Sequence, residues 1–314
     1  MRIAFLWDWS PTYEQTITWQ DGLSRALLEL LDRGHDVQIY VPGLEDALIR
    51  HPYFDIIQSI NLKERIGDDK PEVILHFADM TRPNAKPLKE LGIPMAICFA
   101  GGEPVTYNTY DFDHIFVESL IYKEAFKKAD CSVSIAFGTN TELFTPIEQP
   151  RVFDTIFPGT FAAWKRHDLY AQATRGLKSL AVGWMYQDHE QECWEECIRM
   201  GTTVLPHVSA EALHYLYAAS RMCVITSQSN GGSQRTVLEA MAMNLPLIVT
   251  DSDKFDYATG YAYQCEPEPE EIRSYINAIL DGDGDTNTRD YILNNWSHIQ
   301  YADALEAGLS KLLS

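Results

Sequence analysis

Short apolar runs alternate with stretches of helical periodicity along nearly the whole chain, and the alternation stops once and restarts. Arg2–Trp7 has the length and character of a buried parallel strand. Thr16–Arg33 follows with apolar residues at helical spacing (Trp19, Leu23, Leu27, Leu30, Leu31), and Gly34 fits its C-terminal stop. Asp36–Val41, Glu72–Phe77, Pro94–Phe99, His114–Glu118 and Val133–Phe137 read as the further strands of this half. A loop from Phe137 through Pro146 to Pro150 breaks the pattern. It then resumes, with strands at Asp154–Pro158, Ser179–Trp184, Thr202–Pro206, Met222–Thr226 and Leu245–Thr250. Helices are expected near Lys165–Gly176, Glu190–Met200 and Ala210–Ser220. Strands alternating with helices imply right-handed crossovers and doubly wound parallel sheets, here two Rossmann-like domains of similar size.

Composition narrows the class. With 314 residues, 46% hydrophobic and 22% charged, the chain has material for two packed cores and is not of the disordered type. A formal net charge of −20 opposes long-range attraction to nucleic acid or anionic lipid. No apolar run is long enough to span a bilayer, and Met1–Leu6 is too short for a secretion signal before Trp7-Asp8. The six cysteines are scattered without a Cys-x-x-Cys pair; Cys193 and Cys197 stand one helical turn apart with no histidine at ligand spacing. A reducing, cytoplasmic location is therefore expected.

The chemistry concentrates in Thr226–Asp251, a glycine-bearing loop, a short helix near Gln234–Met243 and a buried strand ending in an acid. In Asn230-Gly231-Gly232-Ser233 the backbone can approach a ligand without Cβ interference, and the helix that follows aims its positive end at the same place. Gly232, Ser233, Gln234, Arg235 and Thr236 thus form a cradle suited to a diphosphate. Glu239, about one and a half turns into the helix, is placed to accept hydrogen bonds from a ribose diol.

This stretch resembles the donor-nucleotide loop of retaining glycosyltransferases of the GT-B fold, the group often called glycosyltransferase family 4. Leu238-Glu239-Ala240-Met241-Ala242 followed by Leu245-Pro246 matches the second half of that motif, while Gly231 stands where the family carries a first Glu. Phe157–Leu169 resembles the family segment reading Gly-Arg-Leu, then Lys-Gly, then Leu. Gly159 and Lys165 fall on matched positions, and Thr160 replaces the Arg. The resemblance implies that Lys165 keeps half of a diphosphate clamp, with Arg166 or Arg235 supplying the missing charge. The other reading of Lys165 is a surface lysine, although at a helix start it opposes the dipole. Val204–Ser209 resembles the segment that meets the nucleobase, which makes His207 a candidate base or ribose contact.

The resemblance further implies a GT-B architecture with a cleft between the domains and a C-terminal helix crossing back. The expected division is an acceptor domain over 1–148 plus helices 286–314, and a donor domain over 149–285. Trp296-Ser297 and Ala302 look like the crossing element; the alternative is a terminal helix packed on the second domain. Because ligands of such sheets sit beyond the carboxyl ends of strands, Asp8, Trp9 and Ser10 are acceptor-side candidates, and Glu103 is placed to orient an acceptor hydroxyl or to serve as a turn residue before Pro104. His76 resembles a family position that reaches the transferred sugar, its alternative being a buried strand-end histidine.

The expected activity is transfer of a sugar from a nucleotide-diphosphate donor to a hydroxyl of a saccharide, a small molecule or a modified base, without cofactor or metal. Two alternatives stay open: a viral-type DNA-base glycosyltransferase, and a non-catalytic nucleotide-sugar-binding relative. Asp281-Gly282-Asp283-Gly284-Asp285 lacks the Gly and Glu a calcium loop requires, since Thr286 and Ile292 occupy those places.

Overall fold

The computed structural model describes residues 1–7, 21–50, 53–78, 85–99, 111–185, 191–228, 234–250, 252–284 and 287–314. They form two compact units, one of 1–138 with 298–314 and the other of 139–297.

The first unit carries an eight-stranded sheet. Its strands are β1 (Arg2–Trp7), β2 (Asp36–Pro42), β3 (Ala47–Arg50), β4 (Asp55–Ser59), β5 (Val73–Ala78), β6 (Met95–Phe99), β7 (His114–Val117) and β8 (Ser132–Ile135), in spatial order β3-β4-β2-β1-β5-β6-β7-β8. All neighbours run parallel except β3, which turns back antiparallel on β4. Helices α1 (Gly22–Asp32), α2 (Leu62–Asp69), α3 (Ala85–Lys89) and α4 (Leu120–Ala125) connect the strands. The Asp21 carboxylate accepts from the Ser24 N–H at 2.7 Å and starts α1 by satisfying an orphan donor. β6 is buried at every position, as befits a strand covered on both faces.

One face of this sheet is closed from far along the chain. The last helix of the chain, His298–Leu312, buries Tyr301, Ala302, Leu305 and Leu309 against Leu23 and Leu27 of α1 and against Phe116 of β7. Any Cβ on Gly308 would lie 2.5 Å from the Phe116 ring, so helix and strand approach this closely only because glycine stands there. Arg33 and His35, just after α1, each hold the Glu306 carboxylate at 2.8 Å, an edge contact of small energetic weight beside the apolar seam. Under the same helix lies His114, its ring bracketed by the hydroxyls of Ser132 (2.5 Å from Nδ1) and Ser134 (2.8 Å from Nε2). Burial, assisted by the nearby Lys311 charge, holds its pKa down at about 4.

The second unit is built on an all-parallel six-stranded sheet. Its strands β9 (Phe153–Pro158), β10 (Ser179–Val182), β11 (Thr203–Leu205), β12 (Ser220–Ile225), β13 (Leu247–Thr250) and β14 (Tyr263–Cys265) lie in the order β11-β10-β9-β12-β13-β14. Helices α5 (His167–Ala173), α6 (Gln191–Arg199), α7 (Ala210–Ala218), α8 (Arg235–Ala242), α9 (Pro269–Ala278) and α10 (Arg289–Asn295) flank it; His298–Leu312 is then α11. Ser209 caps α7 by accepting from the Ala212 N–H at 3.2 Å. The chain leaves β9 toward β10 on one side and reaches β12 on the other, which makes the β9/β12 boundary the topological switch point of the sheet. No helix among the described residues is long and apolar enough to cross a membrane.

Candidate active site

The candidate site lies at the switch point of the second unit. After β9 the backbone passes Gly159 and Thr160, makes a short 3₁₀ turn over Ala163–Lys165, and enters α5 through Arg166. Arg166 has φ +53°, a left-handed conformation that a side chain adopts at a cost. The matched Lys-Gly pattern places glycine at this position, and the observed φ is the physical reason. What offsets the strain is the guanidinium. Its Nε donates to the Thr226 carbonyl (2.6 Å), and Nη2 donates to the Ser227 carbonyl (3.2 Å) and to the Thr250 hydroxyl (2.8 Å). The Thr226 hydroxyl returns the contact, donating to the carbonyls of Lys165 (3.0 Å) and Arg166 (2.8 Å), and the Gln228 N–H donates to the Trp164 carbonyl at 2.7 Å. Arg166 therefore braces the carboxyl ends of β12 and β13. Lys165, half-buried, is held by this lacing at the switch point itself.

Beneath the loop sits His167, fully buried and stacked between Phe157 (4.1 Å, 11°) and Phe161 (4.1 Å, 24°). Among the described residues neither ring nitrogen has a partner in hydrogen-bond geometry, although the Gly159 backbone comes near. Burial first, then the Lys165 charge, lowers its pKa to about 3. A neutral, apolar-sandwiched ring supports the loop without adding a second cation beside Lys165. Sequence spacing gave no signal for this role.

Both His114 and His167 are neutral in the folded protein and regain an ordinary pKa near 6.5 on unfolding. Between about pH 6.5 and pH 4 the unfolded chain therefore binds more protons, and stability falls as pH falls. Each group contributes roughly 1.4 kcal/mol per pH unit across that window. Urea midpoints measured from pH 7 to pH 4.5 are expected to drop steeply, and the slope should flatten in His114→Gln. Equal slopes in the two proteins would remove His114 from the account.

On the other side of the switch point α8 begins. The helix expected near Gln234–Met243 is found with Gln234 as N-cap and Met243 as C-cap. The Gln234 N–H is donated to the Tyr257 hydroxyl at 3.1 Å, which withdraws it from the expected backbone cradle. Arg235 and Thr236 provide the opening N–H groups of the helix, which by helix geometry have no carbonyl of their own helix to reach. Around this first turn the buried Ser227 hydroxyl, Gln234 Nε2 and Thr236 hydroxyl have no hydrogen-bond partner among the described residues. Buried polar atoms in native proteins are normally paired, so three orphans at one switch point mark a place where a polar ligand fits.

Glu239 is 7% exposed and accepts from the Tyr217 hydroxyl on Oε2 at 3.0 Å. That hydroxyl also lies 3.2 Å from the Thr236 carbonyl, and its ring packs edge-on against Phe144. Burial, then the Glu239 charge, raises the Tyr217 pKa well above its ordinary value, so it remains a donor. Tyr217, on α7, thus fixes the Glu239 carboxylate.

The remaining expectations fall variously. His207 is exposed in the loop after β11. His76 is 0% exposed inside β5, ahead of Phe77 and Ala78, with its ring near-parallel to Phe112 at 5.9 Å. The ring is therefore enclosed within the first unit, at the position the resemblance assigned to a sugar contact. Asp8, Trp9, Ser10, Glu103, Gly231, Gly232, Ser233 and Asp251 lie outside the described residues. Thr160, in place of the clamp Arg, accepts from the Trp184 indole at 2.8 Å. Among the described residues no group of three or more His, Cys, Asp or Glu is arranged to hold a metal ion.

Comparison with known proteins agrees with this geometry. Residues 153–281 match the family model described as glycosyl transferases group 1. No curated protein sequence matches the chain. Among solved structures, sucrose-phosphate synthase from Thermosynechococcus elongatus is similar at 14% identity, covering 99% of this chain and 98% of its own, with a TM-score of 0.74. Anabaena HepE in complex with UDP and glucose is similar at 14% identity, with 99% of each chain covered and a TM-score of 0.75. Trehalose-6-phosphate synthase, solved in a study of glycosyl transfer with retention, is similar at 10% identity, with 99% of each chain covered and a TM-score of 0.77. Residues 153–281 are thus similar to the glycosyl transferases group 1 family, and the chain has the GT-B fold of the solved glycosyltransferases it resembles.

Proposed function

We propose that this chain moves a sugar from a nucleoside diphosphate sugar to an acceptor hydroxyl, with retention of anomeric configuration and with no metal ion on the diphosphate. The observation that carries the reading is the convergence at the β9/β12 switch point of the Lys165 loop, the laced end of β12 and the first turn of α8. The chemical difficulty of such a transfer is departure of the nucleoside diphosphate with negative charge building on its outer phosphate. The Lys165 ammonium, the opening N–H groups of α8 and the positive end of that helix stabilise developing charge there. The Thr236 and Ser227 hydroxyls and the Gln234 amide add neutral donors at the same place. Glu239, held by Tyr217, takes the ribose diol. Retention and the use of a UDP-sugar are supported by analogy with trehalose-6-phosphate synthase and HepE, whose structures concern retention and a UDP complex respectively. The −20 charge favours a saccharide or small-molecule acceptor over a DNA duplex.

Radiolabelled transfer with a panel of nucleotide sugars and acceptors tests the reading. Product on a saccharide or small-molecule hydroxyl supports it. Tight nucleotide binding with neither transfer nor donor hydrolysis would mark a non-catalytic relative, and label on duplex DNA would replace the acceptor class. Within the same reading, Glu239→Ala is expected to weaken nucleoside diphosphate binding by roughly 1.5–3 kcal/mol, the range for hydrogen bonds to a charged group. The α8 helix should persist, because alanine is the better helix former. Unchanged affinity by calorimetry would leave Glu239 as an internal acid serving only Tyr217.

A further inference from the structure

Trp184, two residues after β10, is a large exposed side chain at the carboxyl end of the second sheet, 54% exposed. An exposed indole on a mobile loop would signify little. This one is fixed from three directions. Its Nε1–H donates to the Thr160 hydroxyl at 2.8 Å, its carbonyl accepts from the Phe161 N–H at 2.7 Å, and the following residue, Met185, forms a parallel bridge with Phe161. The residue before it, Gly183, approaches the Gly159 carbonyl so closely that no Cβ would fit, which presses the start of the Trp184 segment onto the Lys165 loop. The strand order places β10 between β9, which feeds the Lys165 loop, and β11, which feeds the exposed His207 loop. Trp184 thus stands beside the phosphate end of the site and carries no charge to offer a phosphate. What it offers is a rigid, half-solvated aromatic face.

We infer that Trp184 is the stacking platform for the nucleobase of the donor, with Thr160 as the residue that positions it. The inference rests on the proposed nucleoside diphosphate sugar donor and assigns its planar group to a particular side chain. It also accounts for the Thr160 replacement. The hydroxyl accepts from the indole and keeps its own hydrogen, for which no acceptor is found among the described residues, so it remains a donor toward the ligand. An arginine there would have no lone pair to receive the indole N–H. Base stacking is tolerant of base identity because every base has a π-face, so the platform supplies affinity while neighbouring polar groups choose the base.

Calorimetry with UDP, GDP and inorganic pyrophosphate, on the full chain and on Trp184→Leu and Trp184→Phe, tests this directly. The leucine variant is expected to weaken whichever nucleoside diphosphate the parent binds by about tenfold or more, and to leave pyrophosphate unchanged. The phenylalanine variant, which keeps an aromatic face, should fall within about threefold of the parent, and Thr160→Val should lie between the two. Thermal melting confirms that an exposed side chain was removed without unfolding the unit. If the parent binds the nucleotide and Trp184→Leu binds it equally well, the platform is wrong and the donor reading stands. Equal weakening of pyrophosphate and nucleotide also overturns it, by showing that loop position and not stacking was lost. A parent that binds none of the three overturns the donor reading and this inference with it.

Discussion

Lys165→Ala is expected to cut sugar transfer by about a hundredfold, the scale on which a charge partner of a departing oxyanion acts. The loss should appear in kcat as well as in kcat/KM, because the interaction strengthens as the diphosphate leaves. Binding of the free nucleoside should hardly change, since the ammonium addresses phosphate and not base. Several features make the variant clean. The Lys165 carbonyl, not its side chain, carries the tie to Thr226, and Arg166 independently braces the loop onto β12 and β13. His167 lies beneath, fully buried and neutral. Turnover within a factor of two of the parent would remove Lys165 from the site and with it the alignment of the whole Gly159–Leu169 segment.

The largest effect on stability is expected at Gly183. A Cβ there would lie 1.8 Å from the Gly159 carbonyl oxygen and 2.7 Å from its carbon, against backbone that has no rotamer to change. The two strand ends are also pinned on either side of the contact, by Gly159 N–H to the Val182 carbonyl (2.8 Å) and Phe161 N–H to the Trp184 carbonyl (2.7 Å). Gly183→Ala must therefore part β9 from β10 at the site, and about 3 kcal/mol of destabilisation is expected, the upper end for overpacking. Gly159→Ala is the matched control. Its Cβ would meet nothing nearer than a Phe157 ring carbon at 3.5 Å, an ordinary contact, and less than about 1 kcal/mol should be lost. Urea titration followed by tryptophan fluorescence separates the two, and similar midpoints for both variants would contradict the close approach.

Much of the architecture was readable because its elements are long apolar runs or clear amphipathic stretches. β1 falls on Arg2–Trp7 as read, and α8 within a residue of its expected ends. The strands that went unread are of another kind. β3 alternates half-buried with exposed residues at a sheet edge, and β14 is a three-residue edge strand with a polar centre, so neither shows a strong hydrophobic pattern. β4 carries its apolar pair Ile56-Ile57 in a run too short to mark a strand by composition. At the site, what pattern conveys is residue type at a spacing, which pointed to Lys165 and Glu239. It does not convey enclosure, and so could not place His76 inside the sheet. Nor does it show a partner that is distant in sequence: Tyr217 reaches Glu239, and Arg166 reaches Thr226 and Thr250, through the fold alone. The position of Arg166 was nonetheless open to reading, since the glycine it replaces in the matched pattern signals a left-handed residue.

The first unit is discontinuous, and that has a bearing on how the chain is made. A ribosome releases residues 1–138 long before 298–312, with the whole second unit emerging in between. Until α11 arrives, the face of the first sheet bearing Phe116 lacks Tyr301, Leu305 and Leu309 and is covered only in part, by α1. The second unit is continuous in sequence and has no such wait. The usual order of synthesis, in which the leading domain matures first, is therefore inverted: the later-born unit can be finished while the earlier one is held open for its last helix.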